Sequence, residues 1–246
     1  MNYSPQGFTV LPPVVKNLLF LNVGVFIVGF ILQMMYQYDI SDALGLHYIG
    51  SKGFKPIQFI SYMFLHANLE HIFFNMFALW MFGNILENFW GPKRFFTYYM
   101  ATGIGAGIIQ MIVAYIRIQS IQSQVPADVL EVIYTEGVDI LRQNKNFIAP
   151  LYAELNAIVN VSTVGASGAV FGLLMAFGML FPNSYIYLFF ALPIKAKWFV
   201  LGYGVLELFS GIRNTPGDNV AHFAHLGGMV FGYILIQYWR RKGTYL

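Results

Sequence analysis

Three apolar stretches of the sequence each contain polar side chains of the kinds that catalyse hydrolysis. Ser167 follows Gly165 by two residues, His225 lies near the chain's end, and His71 and Asn75 are one helical turn apart. A serine hydroxyl becomes a nucleophile when an adjacent base such as histidine takes its proton. Imidazole and amide N–H groups can stabilise the oxyanion that this attack creates. These residues fit a serine hydrolase site if the fold brings them together.

The chain that carries these residues is too apolar for a soluble domain. Of its 246 residues, 57% are hydrophobic and 10% charged, whereas soluble domains carry about 25% charged residues. The predicted fold class is an all-α integral membrane protein, with six transmembrane helices in one domain over residues 1–246 and the lipid bilayer around it. The predicted spans are about residues 17–36, 69–89, 95–118, 164–181, 197–212 and 220–239.

The polar groups are expected at one depth of this bundle. Spans two, four and six run in the same direction, and each carries its polar residues within its first two turns. A rise of 1.5 Å per residue then puts the serine and the histidine about 5–8 Å into the bundle. Glycines four residues apart let membrane helices approach closely, and two such pairs are present: Gly168 and Gly172, and Gly228 and Gly232.

The expected catalytic unit is a Ser–His dyad of Ser167 and His225. We expect no acidic residue near either side chain within a span, so a triad is not predicted. The start of a helix carries unpaired backbone N–H groups, and Ser167 lies at the start of span four. Those groups, together with His71 and Asn75, are expected to hold the oxyanion, each donor contributing about 3 kcal/mol.

A histidine zinc site is an alternative interpretation of the same region. His222 and His225 are three residues apart, and His66 and His71 lie near the same end of the bundle. Zinc is bound by such imidazoles. The HExxH arrangement is absent from the sequence, and Glu70, taken as the nearby acid, has the wrong spacing. The prediction is therefore no metal and no cofactor.

The basic residues orient the chain and do not suggest a nucleic-acid partner. The net charge is +3, but the basic residues are scattered in pairs without forming a basic face. Residues 93–94, 195–197 and 240–242 would lie on one side of a six-span bundle, the cytoplasmic side by the positive-inside rule. Both termini are then expected in the cytoplasm, and the compact chain suggests a bacterial inner membrane. Lys52 and Lys55, in the first outer loop, count against this orientation.

The loop between spans three and four, about residues 119–163, is long. Residues 129–141 have apolar side chains at near-helical spacing, which predicts a short amphipathic helix outside the membrane. Another apolar stretch, at residues 185–193, predicts a hairpin at the interface. The absence of cysteine excludes disulfides, thiolate metal sites and a cysteine nucleophile.

The motifs that carry the polar residues resemble those of the rhomboid intramembrane proteases. They read His-Ile-Phe-Phe-Asn at residues 71–75, Gly-Ala-Ser-Gly at 165–168 and Ala-His-Leu-Gly-Gly at 224–228. The resemblance implies a dyad of Ser167 and His225, supported by His71 and Asn75, that cleaves single-span transmembrane proteins near the outer end of the span without a metal. It also implies a gate for substrate in the loop at about residues 210–219.

Two features of the sequence depart from the pattern of that family. A Trp-Arg pair of the first outer loop is replaced by Ile57 and Gln58, which puts the anchoring of that loop in doubt. The tyrosine expected beneath the catalytic histidine is Phe171 here. Two other functions remain open: a non-catalytic relative that binds membrane helices, and a transporter that uses the polar layer as an ion path.

Overall fold

The computed structural model describes residues 8–188, 191–213 and 221–243, which form a mostly helical protein with a small hairpin. A short 3-10 turn, Tyr62–Phe64, lies between the third and fourth helices. Each of the six predicted spans coincides with a helix. In chain order the elements are α1 (Pro13–Tyr36), α2 (Ser41–Leu44), α3 (Gln58–Ser61), α4 (Leu69–Trp90), α5 (Pro92–Gln122), α6 (Ala127–Arg142), α7 (Pro150–Asn160), α8 (Ser167–Leu180), β1 (Tyr185–Leu188), β2 (Leu192–Lys195), α9 (Ala196–Arg213) and α10 (His222–Arg241).

Three helices, α1, α4 and α5, are long and apolar enough to cross a membrane, among the residues described. α8 is also apolar but has only 14 residues, or about 21 Å of helix. The hydrocarbon core of a bilayer is about 30 Å thick, so a transmembrane α8 would have at least one end inside that core. The count of six spans stays a prediction.

α8 lies inside the bundle and packs against α4, α5 and α10. A Cβ atom on Gly228 would overlap the carbonyl oxygen of Gly168, and one on Gly232 would lie 3.3 Å from the carbonyl oxygen of Gly172. The matching order of these contacts means that α8 and α10 run parallel, as the shared direction of spans four and six predicts, and their close approach is what the glycine spacing predicts. The two helices therefore start at the same end of the bundle.

α1 and α9 lie at the edge of the bundle and expose apolar side chains that need lipid around them. The start of α1 is fixed by Glu87 of α4, whose carboxylate accepts hydrogen bonds from the N–H groups of Val14 and Val15 at 2.9 and 2.8 Å. Three residues of α9 are buried: Ala196, Val200 and Glu207.

The long loop contains two helices where the sequence predicted one. The amphipathic helix expected at residues 129–141 is present as α6, whereas α7 was not predicted. Asn160 of α7 donates a hydrogen bond from Nδ2 to the carbonyl oxygen of Ile133 at 2.9 Å. Glu154, also on α7, pairs with Arg117 of α5 at 2.7 Å. These contacts hold the loop against α5.

β1 and β2 form an antiparallel hairpin in which Tyr185 pairs with Lys195. The apolar stretch at residues 185–193 predicted this hairpin. It leads directly into α9. The implied gate for substrate, at about residues 210–219, lies largely outside the described residues, which stop at residue 213 and resume at 221.

The first loop has an anchor at Gln58, one of the positions that depart from the family pattern. Its side chain is fully buried. The Oε1 atom accepts hydrogen bonds from the N–H groups of His47 and Lys55 at 3.3 and 3.1 Å. The Nε2 atom donates to the carbonyl oxygens of Gly53 and Ala43 at 2.8 and 3.2 Å. One glutamine thus ties together both halves of the loop.

Candidate active site

Ser167 opens α8 and His225 lies in the first turn of α10, so their side chains meet at the same end of two parallel helices. The chain enters α8 through Gly165, whose φ of 135° favours glycine. The Oγ atom of Ser167 is 2.8 Å from Nε2 of His225, a hydrogen-bonding distance. The predicted contact between the hydroxyl and the imidazole is therefore present, and its catalytic role stays a prediction.

Phe171 lies one helical turn after the serine and stacks on His225. The two rings are 6° from parallel, and their centroids are 4.2 Å apart. Tyr203 of α9 packs in turn against Phe171, with a centroid separation of 5.0 Å. Because the flat contact restrains rotation of the imidazole, it helps to keep Nε2 directed at the Ser167 hydroxyl.

The expectation that no acidic residue lies near the serine and the histidine is wrong. The Oε2 atom of Glu207 is 2.9 Å from Nδ1 of His225 and 2.7 Å from Nδ1 of His222, because α9 packs against α10. Glu207 is the one acidic residue in the predicted span at residues 197–212. Burying a lone carboxylate in a membrane helix is costly, so its presence could have signalled a partner.

The Glu207 contact determines which nitrogen of His225 faces the serine as an acceptor. An ionised carboxylate has no proton to donate, so if Glu207 is ionised, both imidazoles donate to it through Nδ1–H. The Nε2 atom of a neutral His225 then carries a lone pair and accepts the hydrogen bond of the Ser167 hydroxyl. The predicted pair is thus part of a chain of three groups: carboxylate, imidazole and hydroxyl.

His71 lies across the entry turn from the serine, and Asn75 lies one turn further along α4. The N–H group of Ala67 donates to Nδ1 of His71 at 3.3 Å, which leaves Nε2 to carry the proton of the neutral ring. A Cβ atom built on Gly165 would lie 2.9 Å from Nε2 of His71 and 3.4 Å from Oγ of Ser167. The imidazole N–H therefore faces the space beside the hydroxyl.

Asn75 is buried and donates from Nδ2 to the carbonyl oxygen of His71 at 2.9 Å. Within the described ranges, Asn75 and Ser167 share no hydrogen bond. The structure thus brings His71 and His225 to the serine, whereas the amide of Asn75 bonds the backbone of its own helix.

His66 is a buried member of the same region. It is 9% exposed, and its ring meets that of His71 edge to face with centroids 5.1 Å apart. Burial lowers the pKa of His66 to about 3, and the adjacent His71 adds to the effect. His66 therefore remains neutral at physiological pH.

The Rhomboid domain family matches residues 54–120 and 140–242, which is more than half of the chain. The chain belongs to the rhomboid family. This rhomboid is 29% identical to Rhomboid protein 1, mitochondrial, of Saccharomyces cerevisiae, over 94% of the chain and 57% of the relative. It is 26% identical to RHOMBOID-like protein 12, mitochondrial, of Arabidopsis thaliana, over 87% of the chain and 55% of the relative.

The relatives also correct the expected location. Rhomboid-like protein 11, chloroplastic, of Arabidopsis thaliana is 26% identical over 73% of the chain and 51% of the relative. The rhomboid chain spans about half the length of the curated relatives it matches. Because these relatives are named for mitochondria and chloroplasts, the expected bacterial inner membrane with both termini in the cytoplasm is wrong. Basic loops report orientation across a membrane and do not identify the membrane.

Glu207, His222 and His225 form a group with the spacing of metal ligands in the part of the chain that the structure describes. Their ligand atoms lie within 4.8 Å of one another. The zinc alternative joined the two histidines to His66 and His71, whereas the structure joins them to a carboxylate. Two imidazoles and a carboxylate are a donor set that zinc accepts. In this rhomboid one carboxylate oxygen lies within hydrogen-bonding distance of Nδ1 of both imidazoles.

Proposed function

We propose that this rhomboid is an intramembrane serine endopeptidase that hydrolyses peptide bonds in or near the transmembrane segments of single-span membrane proteins. The observation that carries the proposal is the 2.8 Å contact between Ser167 Oγ and His225 Nε2 at the start of the short helix α8. The proposal includes a single membrane domain over residues 1–246 with six spans. The names of the relatives favour a eukaryotic organelle membrane as its setting.

The first step forms an acyl-enzyme. Ser167 Oγ attacks the carbonyl carbon of the scissile bond while His225 Nε2 takes the hydroxyl proton. The carbonyl oxygen becomes an oxyanion, which accepts hydrogen bonds from the free N–H groups at the start of α8 and from Nε2–H of His71. The amide of Asn75 has a second N–H besides the one that bonds the His71 carbonyl, and we assign it as a further donor to the oxyanion. The C–N bond then breaks, and the imidazolium gives its proton to the leaving amine.

The second step regenerates the serine. Water attacks the acyl carbon, and His225 Nε2 takes a proton from that water. The same oxyanion donors act again. When the tetrahedral intermediate collapses, the imidazolium returns its proton to Ser167 Oγ and a carboxylic acid product leaves. No metal and no organic cofactor takes part in either step.

The test is to reconstitute the protein in liposomes with a model single-span substrate and to map the scissile bond. A fluorophosphonate probe should label the wild type, while Ser167→Ala should abolish both labelling and cleavage. Ser120→Ala, which removes an exposed hydroxyl of α5 that donates to the carbonyl oxygen of Arg117, serves as the matched control and should retain both. Cleavage that survives Ser167→Ala would overturn the proposal.

Substrate binding without cleavage is the outcome that would favour the non-catalytic alternative. In that case a single-span protein would bind equally to the wild type, Ser167→Ala and His225→Ala, and no probe labelling would occur. Proton flux through liposomes that His71→Ala abolishes would instead favour a transporter.

A further inference from the structure

Glu207 is a buried carboxylate that the proposed serine–histidine mechanism does not use. It is 6% exposed and lies in α9, a helix whose other buried residues, Ala196 and Val200, are apolar. One oxygen atom, Oε2, makes both contacts: 2.7 Å to Nδ1 of His222 and 2.9 Å to Nδ1 of His225. Two hydrogen bonds from imidazoles offset the cost of keeping this group away from water.

The imidazole of His225 contacts Glu207 through Nδ1 and Ser167 through Nε2, so the carboxylate and the hydroxyl lie on opposite sides of one ring. A carboxylate at Nδ1 selects the tautomer whose Nε2 can accept a proton. The second histidine, His222, donates to the same oxygen and holds the carboxylate in that place.

We propose that Glu207 is a positioning residue that fixes the tautomer and orientation of His225 and stabilises its imidazolium, with His222 holding the carboxylate. The inference rests on the proposed function, because it assigns His225 as the base. When Ser167 loses its proton, the proton binds Nε2 of His225 and stays there until it passes to the leaving amine. Glu207 remains ionised throughout and only accepts the Nδ1–H hydrogen bond.

The activity test compares Glu207→Gln with Glu207→Asp in the full chain. Gln keeps the size of the side chain but removes the charge, and its amide can donate to Nδ1 and select the wrong tautomer. Asp keeps the charge but shortens the reach. We expect Glu207→Gln to lower kcat about 10- to 100-fold while KM changes by less than about twofold. Glu207→Asp should retain more activity than Glu207→Gln.

A merely structural role predicts more activity in Glu207→Gln than in Glu207→Asp, because Gln fills the buried site better than Asp.

Glu87→Gln is the matched control: it neutralises another buried carboxylate, one that bonds the start of α1. It should lower thermal stability without lowering kcat by more than about twofold. Wild-type kcat in Glu207→Gln, or more activity in Glu207→Gln than in Glu207→Asp, would overturn the positioning role.

A spectroscopic measurement keeps this inference separate from the proposed function. The chain has 5 histidines, so ¹⁵N-histidine NMR can assign His225 and show which nitrogen carries the proton. We expect Nδ1–H in the wild type and in Glu87→Gln, and a shift towards Nε2–H in Glu207→Gln. Nε2–H in the wild type would overturn the inference even if the enzyme is active. A wild type that neither cleaves substrate nor labels would instead defeat the proposed function.

The alternative to this hydrogen-bonded arrangement is a divalent cation bound by the same three side chains. If a chelator such as EDTA abolished the activity of the wild-type protein and Zn²⁺ restored it, a metal would be bridging Glu207, His222 and His225, and the hydrogen-bonded arrangement would be overturned. Activity that is unchanged by the chelator supports the positioning role.

Discussion

Phe171 and His225 form a parallel stack that fixes the plane of an imidazole inside an apolar bundle. A stacked aromatic ring contributes about 0.5–1.5 kcal/mol beyond the area it buries. It also limits rotation of the histidine, whereas the Glu207 contact sets which edge of the ring carries the proton. Phe171 therefore restrains the plane of the imidazole, and Glu207 determines which nitrogen faces the serine without a proton.

Replacing Phe171 with Leu should lower the rate of fluorophosphonate labelling about tenfold, since proton transfer depends on the orientation of the base. The loss of a buried ring should also lower the free energy of unfolding by about 1–3 kcal/mol. Phe171→Tyr keeps the stacked ring and should label within about threefold of the wild type. Equal labelling of Phe171→Leu and the wild type would show that the stack does not orient the imidazole.

Replacing Gly165 with Ala should reduce kcat about 100-fold with little loss of substrate binding. The new Cβ atom would press on the His71 ring, 2.9 Å away, and a φ of 135° would strain any residue with a side chain. Displacing one oxyanion donor costs about 10²–10³ in rate. Gly24→Ala has open space around its Cβ and should leave kcat unchanged. The measurement is kcat and KM for both variants on one substrate.

At the scale of single residues the sequence predicted the contact between Ser167 and His225, because their spans run in the same direction and the glycine spacing allows those helices to approach closely. The sequence did not predict the contact with Glu207, because the partners of Glu207 lie on another helix and are reached only through packing.

At the scale of elements, α8 and α10 approach each other at glycines, where no side chain separates the two backbones. Gly228 of α10 lies against the carbonyl group of Gly168 in α8. A carbonyl group is part of the helix backbone and cannot rotate away as a side chain can. The separation of α8 and α10, and with it the distance from serine to histidine, is therefore set by two rigid backbones.

Replacing Gly228 with Ala should force α10 away from α8 and abolish fluorophosphonate labelling. Overpacking of this kind costs about 1–3 kcal/mol in stability, and a shift of about 1 Å at the site can cost about 100-fold in rate. Gly202→Ala, on the exposed side of α9 with nothing within 4 Å of its Cβ, is the control and should label normally. Normal labelling of Gly228→Ala would mean that the helices can separate without disturbing the site.

Replacing Gln58 with Leu should destabilise the first loop. Leu fills much of the same volume but leaves the N–H groups of His47 and Lys55 and two carbonyl groups without their buried partner, at about 1–3 kcal/mol for each unsatisfied group. We expect a lower midpoint of thermal unfolding in detergent. Lys55→Leu, at an exposed neighbouring position, is the control. A midpoint equal to that of the wild type would contradict the anchoring role.

Most of the elements follow from the apolar pattern of the sequence, which predicted the positions of the six helices that coincide with the spans, of α6 and of the hairpin. α7 was missed because its asparagines interrupt the apolar pattern. Asn156 and Asn160 are buried so that they can bond each other and the backbone of α6. Periodicity does not detect a helix whose packing depends on polar side chains.

At the scale of the whole molecule, buried histidines in the first loop make stability depend on pH. Burial lowers the pKa of His47, and it lowers the pKa of His66 to about 3. In the unfolded chain both titrate near 6.5. As the pH falls below about 6.5, the unfolded chain binds protons that the folded chain does not, so the free energy of unfolding decreases.

The expected decrease is up to about 1.4 kcal/mol per pH unit for each histidine, until the pKa of the folded state is reached. Thermal unfolding in detergent at pH 7.5 and pH 5.5 should show a lower midpoint at the acidic pH. His47→Asn should reduce the difference between the two midpoints. A difference that His47→Asn leaves unchanged would show that this histidine does not titrate differently in the folded and unfolded chains.

α9 carries the carboxylate that both histidines share, yet it is among the least enclosed helices of the bundle. Apart from Glu207, only two of its described residues are buried, and both lie near its start. A small outward swing of this helix would break two hydrogen bonds at once, because a single oxygen makes both. The docking of this peripheral helix therefore controls both hydrogen bonds of the carboxylate, and under the proposed mechanism it also controls the orientation of His225.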